Sequence, residues 1–327
     1  MITRRALLAA TAAAPLPAIA RAAPAPLKVR LGIVTVASQM ALELGVTQHM
    51  FAGQGFDVEV HKLTSGIQAN QALAAGQVDW SAGGIESTII AASAGLAFKP
   101  YAMYAKGGDS LGLLVRRSSG IRSIADIKGK RIAVVVGTAS AQGLADVLAA
   151  NGMADTDVQY INANFGNMGQ MLLSGAVDGM AGLEPFLTAT QEKLGKNGLL
   201  LTRFGKYVQG GGFFLIGDAW AKARPDKIVP ALIGMAEAQK FIRQDLARAA
   251  KLIAPFLKAD PAIIERSSTV LQFAWDIDPF TLRSLHQTSL YLAAHKFIPK
   301  PIDAAVMMAP ALKATAALRQ RRPDLVP

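Results

Sequence analysis

The sequence predicts an α/β protein of two lobes, each built on a mostly parallel β-sheet flanked by helices. Three observations support this prediction. From Leu27 onward, short runs rich in β-forming residues alternate with helical runs, which is typical of βαβ units. A helix-to-strand motif recurs 99 residues further along the chain. The length of 327 residues also agrees with about two domains.

Each half of the chain contains the expected series of strands and helices. In the first half, strands are predicted at residues 28–34 and 57–62 and helices at residues 38–52 and 64–75. Ser65 is a preferred N-cap residue for the second helix, and Gly76 favours the left-handed conformation that ends helices. In the second half, strands are predicted at residues 130–136 and 157–161. Helices are predicted from the loop at 137–140 to about residue 152, and in the segment that ends at Gly175.

The repeated motif is LAAGQVD at residues 73–79 and LLSGAVD at residues 172–178. Each copy has the pattern of a helix end, a Gly cap and the start of a buried strand, although any helix-to-strand junction can produce it. Strand-like stretches at 111–116 and 212–216 would cross between the lobes as hinge strands. Lobe I is then predicted as residues 27–115 plus 209–327, and lobe II as residues 116–208. Apolar residues at helical spacing over 228–246 and helices at 282–296 and 304–318 are expected to pack on lobe I.

Residues 1–22 have the pattern of a cleaved signal peptide, with Arg4 and Arg5, an apolar region, and small residues around Arg21. The paired arginines also resemble a twin-arginine export signal, and an ordinary secretory signal is the alternative. The mature chain is therefore expected to be soluble and periplasmic. Removing this segment lowers the formal charge from +11 to +8. The remaining excess is interpreted as a solvated basic surface, because clustered basic residues interleaved with aromatics, as nucleic-acid binding requires, are not seen.

The chain contains no cysteine, which excludes thiolate metal sites, disulfides and cysteine nucleophiles. Its four histidines, at positions 49, 61, 286 and 295, have no metal-ligand spacing. The phosphate-binding Gly-x-x-x-x-Gly-Lys run is also absent. The sequence therefore predicts a binding protein without metal or cofactor, rather than an enzyme.

The loops at the carboxyl ends of successive strands are the expected ligand site, since open α/β sheets bind ligands there. The candidate residues are Thr35, Ser38, Gln39, Ser65, Gly66, Gly84, Glu86, Gly137, Thr138, Ala139, Ser140, Asn164, Glu184, Gly211 and Gly212. The loop at 137–140 offers backbone N–H groups at a helix N-terminus, or plain N-capping by its hydroxyls. Glu184 is expected to bind a ligand N–H, or to cap the next helix and pair with an arginine across the closing lobes. The same roles are expected of Glu86, on a weaker argument.

Several stretches resemble the nitrate, sulfonate and taurine-type solute-binding proteins of bacterial ABC importers, within a superfamily that includes thiamine-pyrimidine-precursor binders. These stretches are Gly32–Ile33, GFDV at 55–58, AAGQVD at 74–79, LLV at 113–115, SGIRSIADIKGKRIA at 119–133 and SGAVD at 174–178. The resemblance implies a two-lobed periplasmic-binding-protein fold of type II. It also implies a monomer that captures a small organic ligand, either an anion such as a sulfonate or a carboxylate or a pyrimidine-like molecule, and delivers it to an ABC permease.

One departure from the family pattern lies at Leu183-Glu184-Pro185, where sulfonate and nitrate binders commonly have Trp-Asp-Pro. This difference bears on the identity of the ligand. A periplasmic sensor component is an alternative function. A thiamine-pyrimidine-synthase-like enzyme is a weaker one, because the chain lacks cysteine and carries an export signal. A LysR-type regulator would need an N-terminal helix-turn-helix, for which the N-terminus is too short.

Overall fold

The computed structural model describes residues 25–327, so the predicted signal peptide at residues 1–22 lies outside the described residues. The strands are β1 Leu27–Val34, β2 Phe56–Leu63, β3 Trp80–Gly84, β4 Phe98–Lys106, β5 Leu111–Arg116, β6 Arg131–Val134, β7 Gln159–Asn162, β8 Gly179–Leu183, β9 Gly198–Arg203 and β10 Gly211–Gly217. The helices are α1 Met40–Thr47, α2 Gly66–Ala74, α3 Ile85–Ser93, α4 Ala139–Ala150, α5 Phe165–Ser174, α6 Phe186–Leu194, α7 Asp218–Ala223, α8 Ile228–Gln244, α9 Leu246–Leu257, α10 Pro261–Ser268, α11 Pro279–Ala294 and α12 Ala304–Arg321.

The strands form two five-stranded sheets with equivalent topology. The first has the order β2-β1-β3-β10-β4 and the second β7-β6-β8-β5-β9. In each sheet one strand, β10 or β5, runs antiparallel to its neighbours, and the other four run in one direction. The prediction of two α/β units with mostly parallel sheets is thus confirmed. We call each sheet with the helices packed on it the first and the second lobe.

The repeated motif has the same structural role in both lobes. Asp79, immediately before β3, accepts hydrogen bonds from the backbone N–H of Arg30 at 2.9 Å, from its Nε at 3.1 Å and from its Nη2 at 3.0 Å. Asp178, immediately before β8, is bound in the same way by Arg131 of β6. In both lobes the aspartate of the motif therefore links the first parallel strand of the sheet, which carries the arginine, to the strand that follows the Gly cap. A bidentate Arg–carboxylate pair fixes this geometry closely.

The chain passes between the lobes twice, at residues 107–110 and 204–210, and the two crossings lie side by side. The N–H of Gly107 donates to the carbonyl of Gln209 at 3.2 Å. A Cβ on Gly108 would lie 1.8 Å from the carbonyl oxygen of Val208, so the backbones touch where side chains would not fit. Strand β5, predicted to belong in part to lobe I, pairs with β8 and β9 of the second sheet. We propose that the lobe boundary follows these crossings rather than residues 115 and 209.

The first sheet is covered on both faces. Alternate residues of β10 divide between the faces: Phe214 packs with α8 and α9, whereas Phe213 packs with α11 and α12. Trp80 is fully buried on the α8 face and contacts the rings of Phe51, Phe56, Phe214 and Trp220. The expected packing of the C-terminal helices on the first lobe is therefore observed. In the second sheet, β5 likewise places Leu113 against α4, and Leu114 against α5 and α6.

Two predicted helices have different bounds in the structure. The helix predicted at 38–52 is α1 between short 3₁₀ turns, because Phe51 turns into the core and Gly55 adopts a φ of +84°. The apolar residues predicted at helical spacing over 228–246 are divided between two helices, α8 and α9. Asp245 leaves the helical conformation and its carboxylate caps α9 at the N–H of Arg248. Across residues 25–327, the helices lack the combination of length and apolar character that a membrane span needs.

Candidate ligand-binding site

A cavity of about 140 Å³ lies between the two sheets, at the carboxyl ends of their parallel strands. Thirteen of the fifteen candidate residues line it. From the first lobe and the second crossing these are Ser38, Gln39, Ser65, Gly66, Gly84, Glu86 and Gly211, and from the second lobe Gly137, Thr138, Ala139, Ser140, Asn164 and Glu184. The cavity compares with an engineered cavity of about 150 Å³ that accommodates benzene. Its size therefore suits one small organic molecule.

Two candidates do not line the cavity. Thr35 lies between Val34 and Val36, which do line it, and is half-buried. Gly212 pairs with Gly84 in the sheet, and a Cβ there would lie 2.5 Å from the hydroxyl oxygen of Tyr104. Gly212 thus makes room for Tyr104, which is itself a lining residue.

On the first lobe, polar side chains are held by local hydrogen bonds. Ser65 accepts from the N–H of Gln68 and caps α2 as predicted. Gln39 accepts from the N–H of Val34 at 2.7 Å and is buried. Burial raises the pKa of the Tyr104 phenol to about 12, partly offset by hydrogen bonds with Gln39 and Ser38. The phenol therefore stays protonated at neutral pH and can donate or accept a hydrogen bond.

On the second lobe, the N-terminus of α4 opens toward the cavity without a side-chain cap. Thr138 occupies the N-cap position, but its hydroxyl donates to the carbonyl of Val135 at 2.6 Å instead of capping the helix. Ser140 is fully buried, and its Oγ has no hydrogen-bond partner among the described residues. Plain N-capping, the structural alternative for this loop, is thus not what these hydroxyls do. A helix N-terminus whose N–H groups lack a side-chain cap attracts hydrogen-bond acceptors and negative charge.

Glu86, which comes from the opposite lobe, lines the cavity together with this helix end. Glu86 is 4% exposed and lies in the first turn of α3. Burial raises its pKa to about 7, and hydrogen bonds with its own backbone and with the backbone of Ala139 act in the opposite direction. The N-terminal residues of α3 and α4 therefore lie on opposite walls of the same cavity. The pKa of Glu86 near neutrality means that it can gain or lose a proton under ordinary conditions.

Glu184, at the end of β8, is 1% exposed; it caps the next helix and pairs with an arginine of its own lobe rather than with one across the cleft. Its Oε2 accepts from the N–H of Thr188 at 3.0 Å in the first part of α6. Its Oε1 lies 2.8 Å from Nη1 of Arg203, as an ion pair. This ion pair gives the buried carboxylate its cationic partner, although the contact lies outside hydrogen-bond geometry. The N–H of Glu184 also donates to the carbonyl of Ser110 in the first crossing.

The remaining lining is largely apolar and consists of residues outside the fifteen candidates. They are Val34, Val36, Ile67, Leu111, Val135, Phe165, Leu183 and Leu271, with the polar Thr64, Ser87, Tyr104 and Ser110. The loops at strand ends indicated the neighbours of several of them. Tyr104 and Leu271 had no such signal, because β4 and the loop after α10 reach the cavity only through the tertiary fold.

Two contacts join the lobes outside the cavity. The side chain of Arg266 in α10 forms an ion pair with Glu192 in α6. His295, which follows α11, places Nε2 at 3.7 Å from Oδ2 of Asp155 in the second lobe. The lobes therefore also touch outside the cavity lining. Within residues 25–327, no group of three or more His, Asp or Glu side chains is arranged to hold a metal ion.

Known proteins with this arrangement include solute-binding proteins. The chain is 28% identical over 240 residues to a putative aliphatic sulfonates-binding protein of Bacillus subtilis (strain 168), covering 73% of this chain and 72% of that protein. The alkanesulfonate-binding protein SsuA from Xanthomonas axonopodis pv. citri, solved with MOPS, has a TM-score of 0.76 and 23% identity. The match covers 88% of this chain and 99% of that one.

The same fold also occurs in the desulfurization enzyme DSZB, with a TM-score of 0.68 and 15% identity over 90% of this chain and 100% of that one. These structural likenesses establish the type II periplasmic-binding-protein fold that the sequence predicted. The family described as NMT1/THI5 like matches residues 42–209, which include α1 to β9 and most of the cavity-lining loops. From this match, the chain belongs to the NMT1/THI5-like family.

Proposed function

We propose that this chain is the extracytoplasmic solute-binding component of an ABC importer, which captures a small organic molecule between its lobes. The observation that carries the proposal is the cavity itself, lined by strand-end loops from both lobes and sized for one small ligand. Likeness to sulfonate-binding proteins over most of the chain supports the same function.

The geometry explains how binding is coupled to closure. A ligand in the cavity contacts α2 and α3 from one lobe and α4 from the other, so it favours the conformation in which the lobes approach. The two crossings provide the connection about which the lobes can rotate. The observed affinity then includes the free energy of closing the lobes, and a permease can distinguish the closed protein from the open one.

A ligand screen tests this function. The purified chain is heated with sulfonates, nitrate, aliphatic and aromatic carboxylates, amines and pyrimidines, and its melting temperature is recorded. At least one class is expected to raise it, because a ligand that binds only the folded state stabilises that state. Small-angle X-ray scattering with that ligand should report a smaller radius of gyration. The function fails if no compound stabilises the protein while turnover of one of them is detected.

Location and assembly form part of the proposal. Residues 1–22 direct export to the periplasm, and the mature chain acts as a monomer that docks on an inner-membrane permease. A fusion of residues 1–22 to a reporter that is active only outside the cytoplasm tests export. Substitution of Arg4 and Arg5 by Lys distinguishes twin-arginine export, which we expect to be lost, from general secretion, which we expect to continue. Light scattering of the mature chain tests the monomer.

An enzymatic function is the second candidate, because the desulfurization enzyme DSZB shares the fold and Glu86 has a pKa suited to proton transfer. We propose binding without turnover, since the cavity places no histidine beside a hydroxyl nucleophile among its lining residues. Incubation of the stabilising ligand with the protein, followed by mass spectrometry, separates the two functions: an unchanged ligand supports the receptor.

A further inference from the structure

The cavity has an acidic charge balance. Two buried carboxyl groups line it, Glu86 at 4% and Glu184 at 1% exposure, and the lining contains no Lys, Arg or His side chain. Arg203, just outside the lining, offsets the charge of Glu184. Glu86 has no cationic partner among the described residues. A buried carboxylate without a cation is unfavourable, and a ligand of opposite charge removes that cost.

The position that would suit a ligand anion lies in the same cavity as a buried carboxyl group. The N-terminus of α4 is the uncapped helix end of the second lobe, and the carboxyl group of Glu86 interacts with the backbone at Ala139 there. A sulfonate or carboxylate at this point would place a second negative charge beside a buried carboxylate. The two like charges would repel each other strongly in a site from which water is excluded.

We infer that the ligand is a small organic cation, an amine or amidine, whose N–H groups donate to Glu86. This inference rests on the proposed receptor function and names the chemical class of its ligand. The hydroxyl of Ser140 suits the same class, since its Oγ has no hydrogen-bond partner in the described chain and can accept from an N–H group. The apolar side chains of the lining, among them Val36 and Leu271, would enclose the hydrocarbon part.

The charge of Glu86 makes cation binding depend on pH. The titratable groups that face it are Tyr104 of β4 and Tyr291 of α11. Burial raises the pKa of both phenols, and so they remain neutral where Glu86 titrates. Only ionised Glu86 attracts a cation, so affinity falls as the pH drops through about 7.

The test uses butyramidine, butyramide and butyrate, which have the same shape and carry positive, zero and negative charge. Calorimetry or ligand-observed NMR measures their dissociation constants for the mature protein and for two variants. Glu86→Gln keeps the shape of the side chain and removes its charge. Glu265→Gln makes the same charge change on the exposed face of α10 and is the matched control.

We expect butyramidine to bind more tightly than butyramide, and butyrate least. Glu86→Gln should weaken butyramidine binding by about 10- to 100-fold, while Glu265→Gln leaves it unchanged. Lowering the pH from about 8 to about 6 should weaken butyramidine binding about tenfold in the native protein, and it should leave binding to the Glu86→Gln variant unchanged.

Tightest binding by butyrate, strengthened at low pH, would overturn the inference and leave the receptor function intact, with protonated Glu86 donating to an anion. Failure of all three compounds to bind would also overturn it, and the wider ligand screen would then decide the receptor function separately.

Discussion

Asp178 accepts hydrogen bonds from the backbone N–H, Nε and Nη2 of Arg131, at 3.1, 3.1 and 3.0 Å. Arg30 and Asp79 form the same set of contacts in the other lobe. The recurring Gly-x-Val-Asp motif is therefore more than a helix-to-strand junction. Its aspartate ties together two neighbouring strands whose carboxyl ends form the cavity.

We expect Asp178→Asn and Asp79→Asn each to lower the free energy of unfolding by about 1–3 kcal/mol, because each loses a charge-assisted pair with arginine. Asp57→Asn, at an exposed position of β2, is the control and should change it little. Urea unfolding measures all three. Equal stabilities of the Asp178 and Asp57 variants would contradict the role of the motif.

The pair of Asp178 and Arg131 also predicts that the free energy of unfolding depends on pH in acid. The hydrogen bonds from Arg131 hold the pKa of Asp178 below its ordinary value of 3.8. An acid with a lowered pKa stabilises the fold above its unfolded-state value and loses that contribution as the pH falls through the folded-state value. The stability difference between the native protein and Asp178→Asn should therefore shrink below about pH 3.8. A difference that stays constant in that range would argue against the ion pair.

Arg203→Met is expected to lower the free energy of unfolding by about 1–3 kcal/mol, since it leaves the buried carboxylate of Glu184 without its cation. Glu184→Gln should cost less, because the amide carries no charge. In the double variant the two effects should not add, and a double-mutant cycle from urea unfolding measures their coupling. Additive effects would mean that the two side chains act independently.

Glu184→Ala is expected to weaken ligand binding without unfolding the lobes. Glu184 lines the cavity, and it lies outside the apolar clusters that hold the second sheet. Circular dichroism checks the fold, and calorimetry with the ligand found by screening checks binding. Unchanged affinity would remove Glu184 from the site.

Gly108→Ala is expected to destabilise the protein by about 2 kcal/mol or more, because the new Cβ would overlap the carbonyl oxygen of Val208 in the other crossing. Gly53→Ala provides the control, since a Cβ there meets nothing within 4 Å. Thermal unfolding compares the two variants. A melting temperature of Gly108→Ala close to that of Gly53→Ala would show that the crossings can separate freely.

Glu86 predicts the opposite pH dependence to Asp178. Burial raises its pKa from 4.5 to about 7, so its protonated form is the one that folding favours. The associated stability is fully present below about pH 4.5 and is lost as the pH rises to about 7. The shift corresponds to about 3 kcal/mol. Compared with Glu86→Gln, the ligand-free native protein should lose stability by up to this amount between pH 4.5 and 7, as urea unfolding at a series of pH values measures. Parallel curves for both proteins would mean that Glu86 is solvated.

Short-range patterns in the sequence were enough to predict the two α/β units of this protein. Alternating strand and helix signals, the caps at Ser65 and Gly76, and the repeated motif at 73–79 and 172–178 are short-range features, and they indicated two similar α/β units. The ends of parallel strands meet at one edge of a sheet, so the same patterns also located thirteen cavity-lining residues.

Only the tertiary structure decided the contacts that define the site chemically. The approach of Glu86 to the N-terminus of α4, the pairing of Arg203 with Glu184, and the entry of Tyr104 and Leu271 into the cavity join residues far apart in the chain. Such contacts depend on how the two sheets face each other, and burial in that arrangement sets the charge state of Glu86. A linear pattern contains neither the distance between lobes nor the loss of water between them, which is why the acidic character of the cavity appears only in the folded protein.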